Sequence, residues 1–92
     1  MTDYKDILTA AVQNEMKVVG EKTALKIARS VEGVSVNDQG EVTNFSGEGP
    51  ETLSDLVEAY TDFSPVSKHL IKREVDVLFE NNPALEKPEI IS

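Results

Sequence analysis

The spacing of apolar positions predicts four helices and one hairpin. In the first third of the chain, a helical step of about 100° per residue places the apolar side chains on two nearly opposite faces. One straight helix would have to bury both faces, so we expect a break near Gly20 that separates helices at about 3–19 and 21–32. Asp3 is the expected N-cap of the first helix.

Residues 34–46 change to a two-residue alternation, which is typical of strands. Valines alternate with polar residues on both sides of the run Asn-Asp-Gln-Gly, in which Gly40 can adopt a positive φ. We predict a β-hairpin that packs on the helices or on a second copy, because two strands alone are marginally stable in water. Asp38 and Glu41 lack the ligand spacing of a calcium loop, so turn chemistry explains them.

The remainder of the chain predicts two more helices, at about 50–63 and 65–80, and an irregular tail at 81–92. Ser64 and Pro65 have the residue types favoured at the N-cap and first position of the last helix. Asn-Asn-Pro ends that helix. The predicted fold class is therefore α+β, in a single small domain at 1–92.

The last helix has two apolar strips, and a helix that is apolar on two sides is usually packed on both. Its first strip is Val66, Leu70 and Val77. Two covers remain open for the other strip: the tail, folded back through its apolar residues near Leu85 and Ile90-Ile91, or a second copy in a homodimer. That strip consists of Ile71, Val75, Leu78 and Phe79.

Composition excludes several classes of protein. The 92 residues include no cysteine, which excludes disulfides, thiol nucleophiles and cysteine-ligated metals, and we expect no cofactor. No apolar run reaches the roughly 18 residues of a membrane-spanning helix, and the first residues lack a leader pattern. His69, the one histidine, has neither a zinc-binding nor a catalytic-triad setting and is expected at the surface. We predict a cytoplasmic protein without enzymatic activity.

Nearly all of the net charge of −8 lies in the middle of the chain. Between Val34 and Ser67 there are seven acids and no lysine or arginine. This block repels phosphate backbones and anionic lipids and attracts basic proteins. Four of its acids form a stripe on the predicted third helix, which is either a solvated face or a docking strip for a basic protein; they are Glu51, Asp55, Glu58 and Asp62.

An acidic, cysteine-free chain rich in Val and Ala resembles, over its whole length, the small uncharacterised proteins of halophilic archaea. That resemblance implies a cytoplasmic protein with no established activity, in which the surface carboxylates are an adaptation to salt.

Residues 18–28, Val-Val-Gly-Glu-Lys-Thr-Ala-Leu-Lys-Ile-Ala, resemble the second half of a helix-hairpin-helix element. In that family a glycine turn and nearby lysines grip a nucleic-acid phosphate. The resemblance implies contact residues within Gly20–Arg29, although Val18 replaces the family's earlier turn glycine and the net charge opposes phosphate binding. The implied contacts are Gly20, Lys22, Thr23 and Lys26.

Two functions follow as hypotheses. The first is a non-enzymatic protein-interaction or regulatory module that acts as a homodimer, with a basic protein as a further partner. The alternative is a nucleic-acid-binding protein that uses the degenerate element at Gly20–Arg29, a partner class that the charge disfavours.

Overall fold

A computed structural model describes residues 3–91, with side chains through residue 90, and confirms the α+β architecture. The predictions made for the first residues and for the Ile91 side chain lie outside the described part. The helices are α1 (Tyr4–Val18), α2 (Glu21–Ser30), α3 (Gly49–Phe63) and α4 (Ser67–Asn81). Between α2 and α3 come strands β1 (Val34–Val36) and β2 (Val42–Phe45), and a 3₁₀ turn at Glu89–Ile91 follows α4.

The predicted cap and the break near Gly20 are both present. The Asp3 carboxylate accepts a hydrogen bond from the Asp6 N–H, and the Asp6 carboxylate accepts one from the Asp3 N–H, each at 3.1 Å. Gly20 separates α1 from α2 with a φ of +96°, a region that favours glycine. α2 ends at Ser30 rather than near residue 32, because Val31 turns to an extended conformation and buries its side chain in the core.

The hairpin packs on α1, which is one of the two predicted alternatives, packing on the helices or on a second copy. The Val42 N–H donates to the Thr9 hydroxyl at 2.9 Å, so β2 is anchored to the middle of α1. At the turn, the Asn37 side chain accepts hydrogen bonds from the Gln39 and Glu41 N–H groups. Gly40 has the expected positive φ of +82°, and the side chains of α1 lie against it.

Helices α1, α3 and α4 form a bundle in which α4 runs opposite to the other two. The Tyr4 ring packs against Gly49, so α1 and α3 begin at the same end. Tyr4 also makes an edge-to-face contact with Phe79 (centroids 5.9 Å apart), while Glu15 lies by Ser67, so α1 and α4 are antiparallel. Side chains from all four helices and from β2 form one core; its largest members are Tyr60, Ile7, Leu8, Leu53, Leu56 and Ile71.

The fourth helix is present as predicted, but the N-cap predicted for it is wrong. α4 begins at Ser67, and Ser64 instead ends α3, with its N–H bonded to the Tyr60 carbonyl. Pro65 disfavours a helical conformation at Ser64, and the Ser67 N–H closes a separate turn onto the Ser64 carbonyl at 2.9 Å. This turn moves the helix start forward and places Ser67 in the core.

The strip of α4 assigned to a second copy or to the tail is part of the core of a single chain. Ile71 and Val75 are fully buried, Phe79 is 6% exposed and Leu78 is half-buried. The tail returns against α3 and α4 and adds Leu85 and Ile90 to the edge of this core. Side chains that are already buried within one chain are not available for a second copy, so a dimer has to use another surface.

Candidate interaction surfaces

Exposed apolar side chains concentrate at one end of the bundle. Four large apolar side chains are exposed in the described part of the chain: Val18 (42%), Phe63 (59%), Val66 (56%) and Val77 (56%). The first three lie where α1 ends and where α3 turns into α4, and we call this group (Val18, Phe63 and Val66) the turn end. Phe63 also lines a cavity of about 330 Å³ with Ile27 and other side chains of α2.

Charged side chains of both signs surround the turn end. They come from the last turns of α1 and α3 and the first turns of α2 and α4, and all are exposed. No ion pair joins any of them to another described residue. They form a mixed rim around the apolar centre, composed of Lys17, Glu21, Lys22, Asp62 and Lys68.

The first strip of α4 has no full cover. Leu70 is half-buried and lines a shallow cavity of about 320 Å³ with Asn14, Arg73 and Glu74. Val66, just before α4, and Val77, on the side of α4 opposite the buried Val75, are each 56% exposed. We expected both strips of α4 to be packed, but in the single chain only the strip that faces the core is.

The residues of the helix-hairpin-helix resemblance lie on the outer side of α2. An open cavity of about 720 Å³ has a mixed lining of three basic and two acidic side chains with Leu25 and Ser30; the charged ones are Lys22, Lys26, Arg29, Glu21 and Asp38. The Arg29 guanidinium is fixed there, since it donates to the Val36 carbonyl and pairs with Asp38 at 3.0 Å. Thr23 faces the neighbouring cavity beside Phe63, and Gly20 has open space around it.

The acidic stripe of α3 is solvated. All four carboxylates are exposed, and none forms an ion pair within residues 3–90. Among the described residues, no basic side chain of α4 forms an ion pair with the stripe, and Lys72 pairs with Asp76 at 2.7 Å instead. The described part of the chain has no group of three acidic or histidine side chains that could hold a metal ion. The stripe is Glu51, Asp55, Glu58 and Asp62. His69 is exposed on α4 and is not part of the stripe.

Sequence reasoning missed a buried acid. Glu15 is fully buried one turn before the end of α1, and neither carboxyl oxygen makes a hydrogen bond with any described residue. Burial raises the pKa of this carboxyl, and the facing hydroxyl of Ser67 lowers it to a smaller extent. Tyr60 is a further neighbour, because burial and the charge of Glu15 raise the pKa of its phenol; that hydroxyl donates to the Ala24 carbonyl at 2.8 Å.

A sequence signal for this site exists. Glu15 lies four residues after Ala11 and three after Val12, so it falls on the apolar face of α1 where a helix of this period turns toward the core. A polar residue inside an apolar face is the informative exception to the burial rule. The identity of its neighbours could not be predicted, because Tyr60 and Ser67 come from other helices.

Among the described residues, no helix has the length and apolar character needed to cross a membrane. Comparison of this chain with protein-family models, with curated proteins and with solved structures found no match.

Proposed function

We propose that this protein is a non-enzymatic protein-interaction module that forms a homodimer through the turn end. The observation that carries the proposal is the exposure of Phe63 and Val66, at 59% and 56%, beside Val18 at the same end of the bundle. Most surface apolar groups on a monomer are scattered singly, whereas a cluster with a polar rim is typical of an interaction site.

The mixed rim supports a second copy as the occupant. In a two-fold dimer the same surface faces itself, so each rim residue meets a rim residue of the other copy. Because the rim carries Lys22 and Lys68 as well as Glu21 and Asp62, such a dimer can pair opposite charges. A stable interface buries about 1,200 Å² or more, so the contact has to include the rim as well as the apolar centre.

Sedimentation equilibrium over a wide concentration range tests the dimer. We expect Phe63→Ser to weaken self-association by about tenfold or more and Val66→Thr by less, because each removes apolar contact area at the interface. Val77→Thr is the matched control: Val77 is as exposed as Val66, but it lies on α4 about three turns beyond Val66, which directly precedes that helix.

Two results would contradict the proposal. The first is a wild-type protein that is monomeric at every concentration. The second is an equal loss of association in Val66→Thr and Val77→Thr, which would place the contact along α4 and not at the turn end.

Nucleic-acid binding through Gly20–Arg29 is the second candidate, favoured by Lys22 and Lys26, which line the open cavity on α2 and form no ion pair with any described residue. At low salt, a binding titration with duplex and single-stranded DNA should show affinity that the double change Lys22→Glu/Lys26→Glu abolishes. Lys5→Glu/Arg73→Glu makes the same change in charge away from this cavity. Binding that survives the change on α2, or that falls equally in both variants, would rule out the assignment.

A basic protein partner for the acidic stripe is supported by the absence of ion pairs at its carboxylates within the described residues. A basic peptide should bind the wild type in a salt-sensitive manner and lose affinity in Asp55→Asn/Glu58→Gln. Glu74→Gln/Glu80→Gln on α4 is the matched control. Equal losses in the two variants would show attraction to net charge alone.

A further inference from the structure

We infer that Glu15 is a pH-sensitive latch that holds the end of α1 against the start of α4. Glu15 is 0% exposed, and the Ser67 hydroxyl that faces its carboxyl does not reach full hydrogen-bond geometry with either oxygen. An ionised carboxyl in such a place is costly, whereas the neutral acid loses much less hydration on burial. Protonation of Glu15 therefore favours the closed form of the latch.

The groups that face Glu15 provide no positive charge. The phenol of Tyr60 faces it from α3, and that hydroxyl is already committed to the Ala24 carbonyl of α2. The hydroxyl of Ser67 faces it from α4. Within the described residues, no charged group of α2 or of the hairpin shifts the pKa of this carboxyl. No neighbouring cation therefore offsets the charge when Glu15 loses its proton.

Ionisation of Glu15 should open only one contact, because of where this residue lies. Ser67 is the first residue of α4, and that helix start has no side-chain cap, so it is held by packing against its neighbours. Ionisation of Glu15 draws water toward the carboxyl and separates the last turn of α1 from this helix start. The latch lies beneath the turn end but does not depend on the proposed dimer.

The direction of the pH effect follows from linkage. Because burial raises the pKa of Glu15 in the folded state, the closed form binds a proton that the open form releases. The equilibrium constant for local opening should rise about tenfold per pH unit between the ordinary carboxyl pKa and the raised one, and then level off.

Two measurements on dilute, monomeric protein test the latch. Carbon-detected NMR titration of the Glu15 carboxyl should give a midpoint above the ordinary value of about 4.3. Amide hydrogen exchange, corrected for intrinsic rates, should show increased opening at residues 15–19 and 67–71 as the pH rises. Glu15→Gln should remove this rise, and Glu32→Gln, the same change at an exposed position, should keep it.

The NMR titration uses the wild-type protein, so it tests the latch even if Glu15→Gln fails to fold. A Glu15 midpoint at or below the ordinary value would overturn the inference. So would an increase in opening that is uniform over the whole chain, because a latch acts on one contact, and so would an unchanged pH dependence in a folded Glu15→Gln protein.

Discussion

The two ends of the three-helix bundle are closed in different ways. At one end, which we call the closed end (Tyr4, Gly49 and Phe79), an aromatic pair packs beneath the start of α3 and the tail returns past it. At the turn end, Phe63, the last residue of α3, and Val66, just before α4, are exposed. Large apolar side chains are therefore buried at one end of this small domain and exposed at the other.

The tail accounts for part of this difference. It leaves α4 beside the closed end, and Lys87 pairs with Asp76 while Leu85 packs at the edge of the core. Burial and, to a smaller extent, the charge of Glu86 in the tail raise the pKa of Tyr4 to about 12. No described segment covers the turn end in the same way. Stability and association should therefore depend on different ends.

The sharpest test of this comparison uses two phenylalanines. Phe79→Ala should lower the free energy of unfolding by about 3–5 kcal/mol, because it leaves a cavity beside Tyr4. Phe63→Ala, at an exposed position, should change it by no more than about 0.5 kcal/mol. Urea denaturation of dilute protein measures both, and equal losses would mean that the two ends do not differ.

Gly49 tests how tightly the closed end is packed. A Cβ at this position would lie 2.5–2.8 Å from ring atoms of Tyr4, so Gly49→Ala should cost about 1–3 kcal/mol even though alanine normally favours a helix. Thermal or urea denaturation measures the loss. The cost should disappear in a Tyr4→Ala background, where the ring is absent.

Gly20→Ala at the turn end provides the contrast. Nothing lies within 4 Å of the added Cβ, but the φ of +96° strains any L side chain, so we expect a cost of about 1–2 kcal/mol that Tyr4→Ala does not change. If Tyr4→Ala changes the cost of both glycine variants equally, packing against Tyr4 is not the cause of the stability loss in Gly49→Ala.

The ion pairs of Asp76 test the attachment of the tail. Burial alone would raise the pKa of Asp76, but the hydrogen bonds and charges of Lys72 and Lys87 outweigh it and lower the pKa. The stability from these pairs is present above the ordinary carboxyl pKa and is lost as the pH falls through the lowered one. Asp76→Asn should remove this acid dependence and cost a few tenths to about 1 kcal/mol.

Limited proteolysis of the tail and denaturation between pH 2 and 6 measure this effect. Glu74→Gln, on the same helix without an ion pair in the described residues, is the control. A tail that is cleaved equally fast in wild type and Asp76→Asn would show that the pairs do not hold it.

Added salt should have the smallest effect on stability, counted per pair of like charges. Like charges three and four residues apart on α3 each cost a few tenths of a kcal/mol, and screening relieves them. If the acidic block is an adaptation to high salt, the thermal midpoint should continue to rise toward molar potassium chloride. A midpoint that is flat or falling over that range would count against the adaptation.

The local features of this fold were predictable because they depend on neighbouring residues. The capping box at Asp3, the glycine break at Gly20 and the hairpin turn at Gly40 each follow from side chains a few positions apart. The N-cap of α4 was misplaced because a competing turn at Pro65 uses the same residue types as a helix start. The acidic stripe was placed correctly on the exposed face of α3, but its partner was not predictable.

By itself, the sequence determined the number and order of helices, the hairpin and the concentration of acids, since periodicity and turn chemistry are local. The tertiary structure decided which strip of α4 is buried, that Glu15 lies unpaired in the core, and that Phe63 and Val66 are exposed at one end. These outcomes depend on how elements far apart in the chain pack against each other. An apolar pattern shows that a face needs a cover, but the packing of the whole chain decides which faces receive one.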